Sequence, residues 1–158
     1  MSMRLSARVD YALRATVELA AAQLAAGASD PQPVTAERLA TAQGIPAKFL
    51  ESILVQLRRG GIVAAQRGPD GGYWLLRPAP DISLAEVIRV IDGPLAHIRN
   101  TRPEDLGYHG AASALQEVWI ALRASEREIL ELVTIADVAS GELPGRVREL
   151  VANPEAWA

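Results

Sequence analysis

The sequence predicts a mainly α fold: a winged helix-turn-helix with a small β-hairpin wing and a long C-terminal dimerisation helix. Two short helical patterns joined by a tight turn lie within residues 35–59, and a glycine-rich hairpin pattern follows within residues 62–76. A long amphipathic pattern then covers residues 111–140. These features divide the chain into residues 1–80 for the winged helix, 81–110 for a connecting helix and a sensor loop, and 111–158 for the dimerisation helix and tail.

The first short helix is defined at both ends by its own residues. Thr35 is a residue type that caps helix N-termini, and Leu39 and Ala40 fall where the helix would be buried. Gly44 can adopt the left-handed conformation that ends a helix. Pro46 suits the first position of the next helix, because its missing N–H would have no partner there.

The second short helix has one apolar stripe and one polar face. Its apolar positions follow i, i+3, i+4 and i+7 spacing: Leu50, Ile53, Leu54 and Leu57. Its other face carries side chains that donate or accept hydrogen bonds: Lys48, Glu51, Ser52, Gln56 and Arg59. Two short helices joined by a tight turn, the second polar on its outer side, are typical of a helix-turn-helix.

A hairpin follows the helix-turn-helix. Gly60 and Gly61 break the helix, and residues 62–66 and 73–76 have the composition of two strands. Residues 67–72 between them form a turn that begins with Arg67. The glycines would allow the wing backbone to approach phosphate or the minor groove of DNA, where Arg67 would bind. The alternative is an ordinary surface hairpin with a solvated arginine.

Two further helices flank the winged helix. An N-terminal helix ending at Gly27 would bury a stripe of apolar residues, namely Leu5, Val9, Leu13, Val17, Ala20 and Leu24. After the wing, Ser83 and Glu86 form a capping box. The helix that this box opens would bury Leu84, Val87, Ile88 and Ile91, and it would end before Pro94.

The interval from Pro94 to Gly110 has no regular pattern but is rich in polar groups. Its candidate functional side chains are His97, Asn100, Arg102, Glu104, Asp105, Tyr108 and His109. We expect no metal site, because the histidines and carboxylates lack a short ligand spacing. A loop that senses a small molecule or a protein would use Arg102 as the anchor for an anion, with His97, Tyr108, His109 and Trp119 nearby. The alternative is a linker packed on the wing or on a partner subunit.

The pattern from Ala111 to Ser140 predicts one long helix. Its apolar positions are Leu115, Trp119, Leu122, Ile129, Val133 and Ala136, and a second stripe contains Val118, Ser125 and Leu132. A helix with so broad an apolar face needs a covering surface, and a second copy of the chain would supply it, so we expect a homodimer. Packing within one subunit is the alternative. In the tail, a short helix lies between Pro144 and Pro154, and Trp157 would dock on the body.

Composition limits the function classes. The chain has no cysteine, which excludes disulfides and thiolate metal sites. It has no apolar run long enough to span a membrane and no signal-peptide pattern, so we expect a soluble, cytoplasmic protein without membrane partners. Residues 1–80 carry nine Lys and Arg against six acidic residues, a net charge of +3. Residues 81–158 carry seven Arg against thirteen acidic residues, a net charge of −6. The basic half would face a polyanion, and the acidic half would face away from it.

An enzyme function has little support in the sequence. No nucleophile elbow or phosphate loop is present, and the side chains of the adjacent Glu104 and Asp105 diverge. The wing glycines do not form a dinucleotide site, because no helix follows them. We therefore expect no enzyme activity, no cofactor and no metal.

Several motifs resemble the small bacterial winged-helix regulators that include IscR, NsrR and CymR. The matching segments are residues 4–6, 11–15, 45–46, 49–51, 57–58, 61–63, 67–69 and 71–73. The resemblance covers about the first 95 residues with specific motifs and continues more loosely into the long helix. It implies a homodimeric transcriptional regulator, and many members of the family hold an iron–sulfur cluster with three cysteines. This chain departs from that pattern, because it has no cysteine.

The resemblance also implies which residues contact DNA. Lys48, Glu51 and Ser52 match helix positions that contact base edges or nearby phosphates, and Arg67 matches the wing residue that enters the minor groove. The full set of expected DNA-binding residues is Arg4, Ser6, Thr35, Lys48, Phe49, Glu51, Ser52, Gln56, Arg58, Arg67, Gly68 and Pro69. We therefore expect a regulator, most simply a repressor, that binds a palindromic operator as a homodimer without a cluster. The alternative is a winged-helix interaction module that regulates a partner protein.

Overall fold

The computed structural model describes residues 5–27, 31–95 and 97–158. The described residues form seven α-helices and one antiparallel hairpin, and none of these helices is long and apolar enough to cross a bilayer. The elements are α1 (Ala7–Ala26), α2 (Ala36–Gln43), α3 (Ala47–Arg59), β1 (Val63–Gln66), β2 (Gly72–Leu75), α4 (Leu84–Asp92), α5 (Leu115–Leu132), α6 (Ile135–Ser140) and α7 (Gly145–Val151). The predicted fold class, a mainly helical chain with a small hairpin, is confirmed.

The helix-turn-helix forms as its capping residues predict. The Thr35 hydroxyl accepts a hydrogen bond from the Arg38 amide at 3.2 Å, and Gly44 ends α2 with a φ of 61°. Pro46 precedes the first residue of α3 instead of occupying that position. The four predicted apolar residues of α3, Leu50, Ile53, Leu54 and Leu57, are fully buried.

The hairpin is joined to the helix-turn-helix by one additional pairing. Residues 63–66 pair with residues 72–75, and Val34 exchanges two backbone hydrogen bonds with Tyr73 at 2.8 and 2.9 Å. Gly72 allows this close approach, because a Cβ at its position would lie 2.7 Å from the Val34 carbonyl oxygen. The wing is therefore held against the segment that leads into α2.

The buried face of α1 differs from the predicted stripe. Its buried residues are Val9, Ala12, Ala15, Thr16, Leu19 and Ala20, whereas Leu5 and Leu24 are nearly half exposed. The prediction favoured the large apolar residues. In the structure α1 contacts α2, α3, α4, α6 and β2, and the small side chains face these neighbours because they permit close packing.

The predicted continuous helix over residues 111–140 is wrong. The chain forms a 3-10 turn at 110–112, α5 ends at Leu132, and Thr134 opens α6 with a capping box that includes Asp137. Backbone hydrogen bonds across the break cause this change of direction: Leu84 donates to Val133 at 2.9 Å, and Ile135 donates to Ile82 at 3.0 Å. Val133 and Ala136, which were expected on a dimer seam, are buried within the subunit instead.

The two remaining predictions for local structure have different outcomes. The capping box of α4 is confirmed, with the Ser83 hydroxyl accepting from the Glu86 amide at 3.2 Å. The docking of Trp157 on the body is wrong, because its side chain is 76% exposed. Its indole N–H donates to the Val151 carbonyl at 2.8 Å, so Trp157 folds back on α7 alone.

Replacing Gly72 with Ala should destabilise the protein by about 2 kcal/mol, because the new methyl group would collide with the Val34 backbone at a φ of 149°. The measurement is urea unfolding. Gly107→Ala is the matched control, since a Cβ there meets no atom within 4 Å. Equal stabilities of the two variants would show that the pairing of Val34 with β2 does not depend on glycine.

Candidate nucleic-acid interface

The outer face of α3 is open to solvent and carries polar groups. Lys48, Glu51 and Ser52 are exposed, and Phe49 beside them is 57% exposed. Pro46 provides no side-chain cap, and the amides of Ala47 and Lys48 have no acceptor among the described residues. A helix N-terminus with free amides attracts anions such as phosphate groups. The start of α3 therefore offers exposed side chains that donate or accept hydrogen bonds beside backbone amides that can bind an anion.

A residue of α1 that sequence reasoning missed organises the middle of this face. The Arg8 guanidinium donates to the Ser52 hydroxyl at 3.1 Å and to the Gln56 side-chain carbonyl. Ser52 in turn donates to the Phe49 carbonyl at 3.1 Å. These partners lie 44 and 48 positions from Arg8 in the chain, so helical periodicity gave no signal for the cluster. Arg8 fixes the two α3 side chains and brings its own positive charge to the surface.

Five other cations of the winged helix lack an acidic partner among the described residues: Arg38, Lys48, Arg58, Arg59 and Arg67. All five are exposed. By contrast, Arg14 pairs with Asp10 at 3.1 Å and Arg77 pairs with Glu86 at 2.7 Å. Unpaired exposed cations are the groups that release counterions when they contact the DNA backbone.

The wing presents Arg67 at the end of β1. Gly68 follows with a φ of 110°, and a Cβ there would meet no atom, so this glycine serves the backbone turn. Gly71 is needed inside the hairpin, since a Cβ there would lie 2.2 Å from the Gln66 carbonyl oxygen. The close backbone approach expected of the wing glycines is therefore, at Gly71, an approach to the backbone of the hairpin itself. Pro69 and Arg67 remain exposed at the tip.

Several residues of the expected DNA-binding set have structural roles. Ser6 caps α1 by accepting from the Val9 amide at 3.1 Å, and its hydroxyl donates to Asp92 at 2.9 Å. Thr35 caps α2, as described above. Arg58 is exposed near the end of α3, and Arg4 lies outside the described residues. Contacts of these residues with DNA stay predictions.

The five expected effector residues do not form one site in the structure. The Trp119 indole donates to the Tyr108 hydroxyl at 2.8 Å, which joins the loop to α5. Arg102 lines an open cavity between α4 and α5 that neither of these aromatic residues lines. His97 and His109 are exposed at the surface. The aromatic pair is therefore a packing contact separate from Arg102.

The Rrf2 family, described as iron-dependent transcriptional regulators, matches residues 5–141. The chain belongs to the Rrf2 family. Rv1287 of Mycobacterium tuberculosis, a candidate HTH-type transcriptional regulator by name, is 51% identical over 148 residues, covering 94% of this chain and 88% of that protein. The regulator IscR of Cereibacter sphaeroides is 32% identical over 143 residues, covering 89% and 90% of the two chains.

Solved structures of Rrf2 regulators have the same architecture. The structure of CymR, described as the global cysteine regulator of B. subtilis, is similar with a TM-score of 0.73 at 28% identity, covering 88% of this chain and 98% of that one. T. potens IscR is similar with a TM-score of 0.68 at 27% identity, covering 94% and 98%. The winged helix of this Rrf2 chain is therefore that of a DNA-binding transcriptional regulator.

The iron in the description of the Rrf2 family does not match the donor groups of this chain. The sequence has no cysteine to supply thiolate ligands, which hold most iron–sulfur clusters. The described residues also contain no group of three or more His, Asp or Glu side chains arranged to hold a metal ion. The residues present thus do not fit an iron–sulfur cluster held by cysteine thiolates.

Proposed function

We propose that the protein is a repressor that binds a palindromic operator as a homodimer and works without an iron–sulfur cluster. The observation that carries this proposal is the exposed polar face of α3 together with the exposed Arg67 of the wing, which has no acidic partner among the described residues. A two-fold dimer presents two such faces, so its operator repeats each half-site with opposite orientation. Repression is the simplest outcome, because an occupied operator excludes other proteins and requires no activating surface.

The two parts of the winged helix would divide the work of binding. In this proposal α3 lies in the major groove and Arg67 enters the minor groove, where a narrow groove concentrates negative potential. Glu51 is the informative residue of α3. An acid facing a polyanion is unfavourable unless it accepts a hydrogen bond from a base donor such as the cytosine amino group. Lys48, one turn earlier, would contact a base edge or a phosphate.

Replacing Arg67 with Ala should weaken operator binding strongly and reduce the dependence of the affinity on salt, because the contact between a cation and the negatively charged minor groove is lost. Replacing Glu51 with Ala should relax the sequence preference while non-specific affinity stays unchanged or rises. The measurement is fluorescence anisotropy with operator and scrambled DNA across a salt series. Glu142→Ala, which removes an exposed acid from the segment between α6 and α7, is the control for the change in net charge. If Glu51→Ala lowers both affinities equally, Glu51 does not read a base.

The dimer interface is proposed on one face of α5. Residues at alternating spacings of three and four form a seam along this helix, namely Leu115, Val118, Leu122, Ser125, Ile129 and Leu132. Four of these six side chains are large, apolar and between 36% and 52% exposed. A seam with this spacing, apolar at every position except Ser125, resembles the pattern that joins helices in coiled coils. The face of α5 next to this seam bears on its own subunit, where Trp119 is half-buried.

Leu122 tests this interface because a charge in the seam would lie buried and unpaired. Leu122→Asp should weaken the free energy of dimerisation by several kcal/mol, so that the protein is a monomer at micromolar concentration. Ile120→Asp is the matched control, since Ile120 lies on the same helix, is equally exposed at 36% and falls outside the seam. Sedimentation equilibrium gives the masses. A Leu122→Asp dimer, or equal dissociation of both variants, would exclude this face.

The proposed absence of a cluster has a spectroscopic test. Protein purified without oxygen should be colourless, with no visible absorption bands and no stoichiometric iron, because thiolate ligands are missing. The protein should also bind operator DNA equally well with and without an iron chelator. Visible bands that disappear with the chelator would contradict this part of the proposal and leave the DNA-binding part intact.

A further inference from the structure

An open cavity lies between α4, the loop after it and α5. Its volume is about 320 Å³, large enough for a small organic or inorganic ion. It is lined mainly by charged side chains: Arg89, Arg102, Glu104, Arg123, Arg127 and Glu131. Pro94 and Leu95 complete the wall. The cavity thus collects four arginines in the half of the chain that is acidic as a whole.

Ion pairs hold three of these arginines in place. Glu131 pairs with Arg89 and, at 3.2 Å, with Arg127, while Glu104 pairs with Arg123. The hydrogen bond from Arg89 holds the pKa of Glu131 below its usual value. A backbone hydrogen bond, followed by the one from Arg123, lowers the pKa of Glu104. Both carboxylates are therefore ionised at neutral pH, and four cations against two anions leave the lining with a net charge of +2.

Arg102 differs from the other three arginines of the cavity because its charge has no ion-pair partner among the described residues. Its guanidinium makes no hydrogen bond and no ion pair with any residue that the structure describes, although its charge helps to lower the pKa of Glu104. Arg102 precedes the buried Pro103 at the start of a short 3-10 turn. The Gln116 side chain donates to the carbonyls of Glu104 and Leu106 at 3.0 and 2.9 Å, which fastens this turn to α5. A free cation is thus held at the cavity by an anchored backbone.

We infer that this cavity binds a small dianion, a molecule carrying either a phosphoryl group or two carboxylates, and that the dianion is an effector of the regulator. Arg102 would supply a bidentate pair of N–H donors to it. The paired arginines have donors to spare, because each guanidinium carries five N–H groups and an ion pair occupies one or two of them. A dianion would balance the excess charge of the lining, whereas a monoanion would leave half of it.

The cavity has a short structural route to the DNA-reading helix. Arg89 lies on α4 next to Val90, and the Val90 side chain packs against Gly60 so closely that a Cβ there would lie 2.5 Å from it. Gly60 is the residue that ends α3. A dianion that draws Arg89 and Arg102 together would therefore shift α4 and change the packing contact between α4 and the end of α3. This part of the inference rests on the proposed operator binding, whereas the binding of the dianion does not.

Isothermal titration calorimetry without DNA tests the site. The probes are inorganic phosphate and succinate at pH 7.5, with acetate as the monoanion, all at one fixed ionic strength because salt screens exposed charges. We expect a one-to-one heat with phosphate or succinate that acetate does not give. Binding of phosphate alone would indicate a phosphoryl ligand, and binding of succinate alone would indicate a dicarboxylate. Heats for both dianions that equal that of acetate would overturn the site.

Matched variants assign any binding to the cavity. Arg102→Gln should weaken binding about tenfold or more, because charge-assisted hydrogen bonds are lost without disturbing an ion pair. Arg99→Gln removes the same charge three residues earlier, outside the cavity, and should leave the affinity unchanged. Glu131→Gln raises the net charge of the lining and should tighten binding. Equal weakening by Arg99→Gln and Arg102→Gln would show general electrostatic attraction and would overturn the assignment.

A separate measurement tests the effector role. Operator affinity is measured by anisotropy with and without the dianion that binds, at constant ionic strength, for the parent protein and for Arg102→Gln. We expect a several-fold shift in the parent protein and none in the variant, while both bind DNA equally well without the dianion. An unchanged affinity in the parent protein would remove the effector role. Loss of operator binding in the absence of dianion would instead contradict the proposed function and leave the calorimetric result valid.

Discussion

The structure depends on the close packing of α6 against the alanine-rich face of α1. Ala12, Ala15 and Ala20 present little more than backbone, so neighbouring helices can approach α1 closely and fill the interior at native density. Ile135 and Ala136 of α6 belong to this same core. The chain that returns from α5 is thereby fixed to the first helix of the winged helix, and two backbone hydrogen bonds to residues 82–84 secure its entry.

This packing determines where the two proposed interfaces lie. α1 carries Arg8, which holds Ser52 and Gln56 on the outer face of α3, and the same helix supports α4 and α6. α5 is consequently connected to the winged helix at both of its ends: through α4 and the loop on one side, and through α6 on the other. A dimer formed along α5 would therefore hold the two copies of α3 at a distance that buried contacts determine. A fixed distance between them is the condition for recognising two half-sites at a defined spacing.

Sequence reasoning succeeded where the cause of a structure is local. The caps at Thr35 and Ser83, the left-handed Gly44 and the apolar stripe of α3 each depend on residues within one or two turns, and all are found as predicted. It failed where the cause is tertiary. The break at Val133 arises from hydrogen bonds to a segment about 50 residues earlier, and the small-residue face of α1 is buried because four helices and β2 pack around it. Arg8 was missed for the same reason, since its partners are adjacent only after folding.

The distribution of ion pairs explains how a chain with a net charge of −3 can present a local binding surface for DNA. In the described C-terminal half, Arg89, Arg123, Arg127 and Arg146 are paired with glutamates, so their charges are largely compensated over short distances. The exposed cations of α3 and the wing have no glutamate or aspartate partner in the part of the chain that the structure describes. Screening limits the reach of exposed charges to about 8 Å at physiological ionic strength, so the acidic half has little effect on the electrostatic potential at the outer face of α3 and at the wing. What matters for binding is therefore which cations remain unpaired at the surface and not the total charge. By the same criterion Arg102, which has no ion-pair partner among the described residues, is the arginine of the cavity that is available to a ligand.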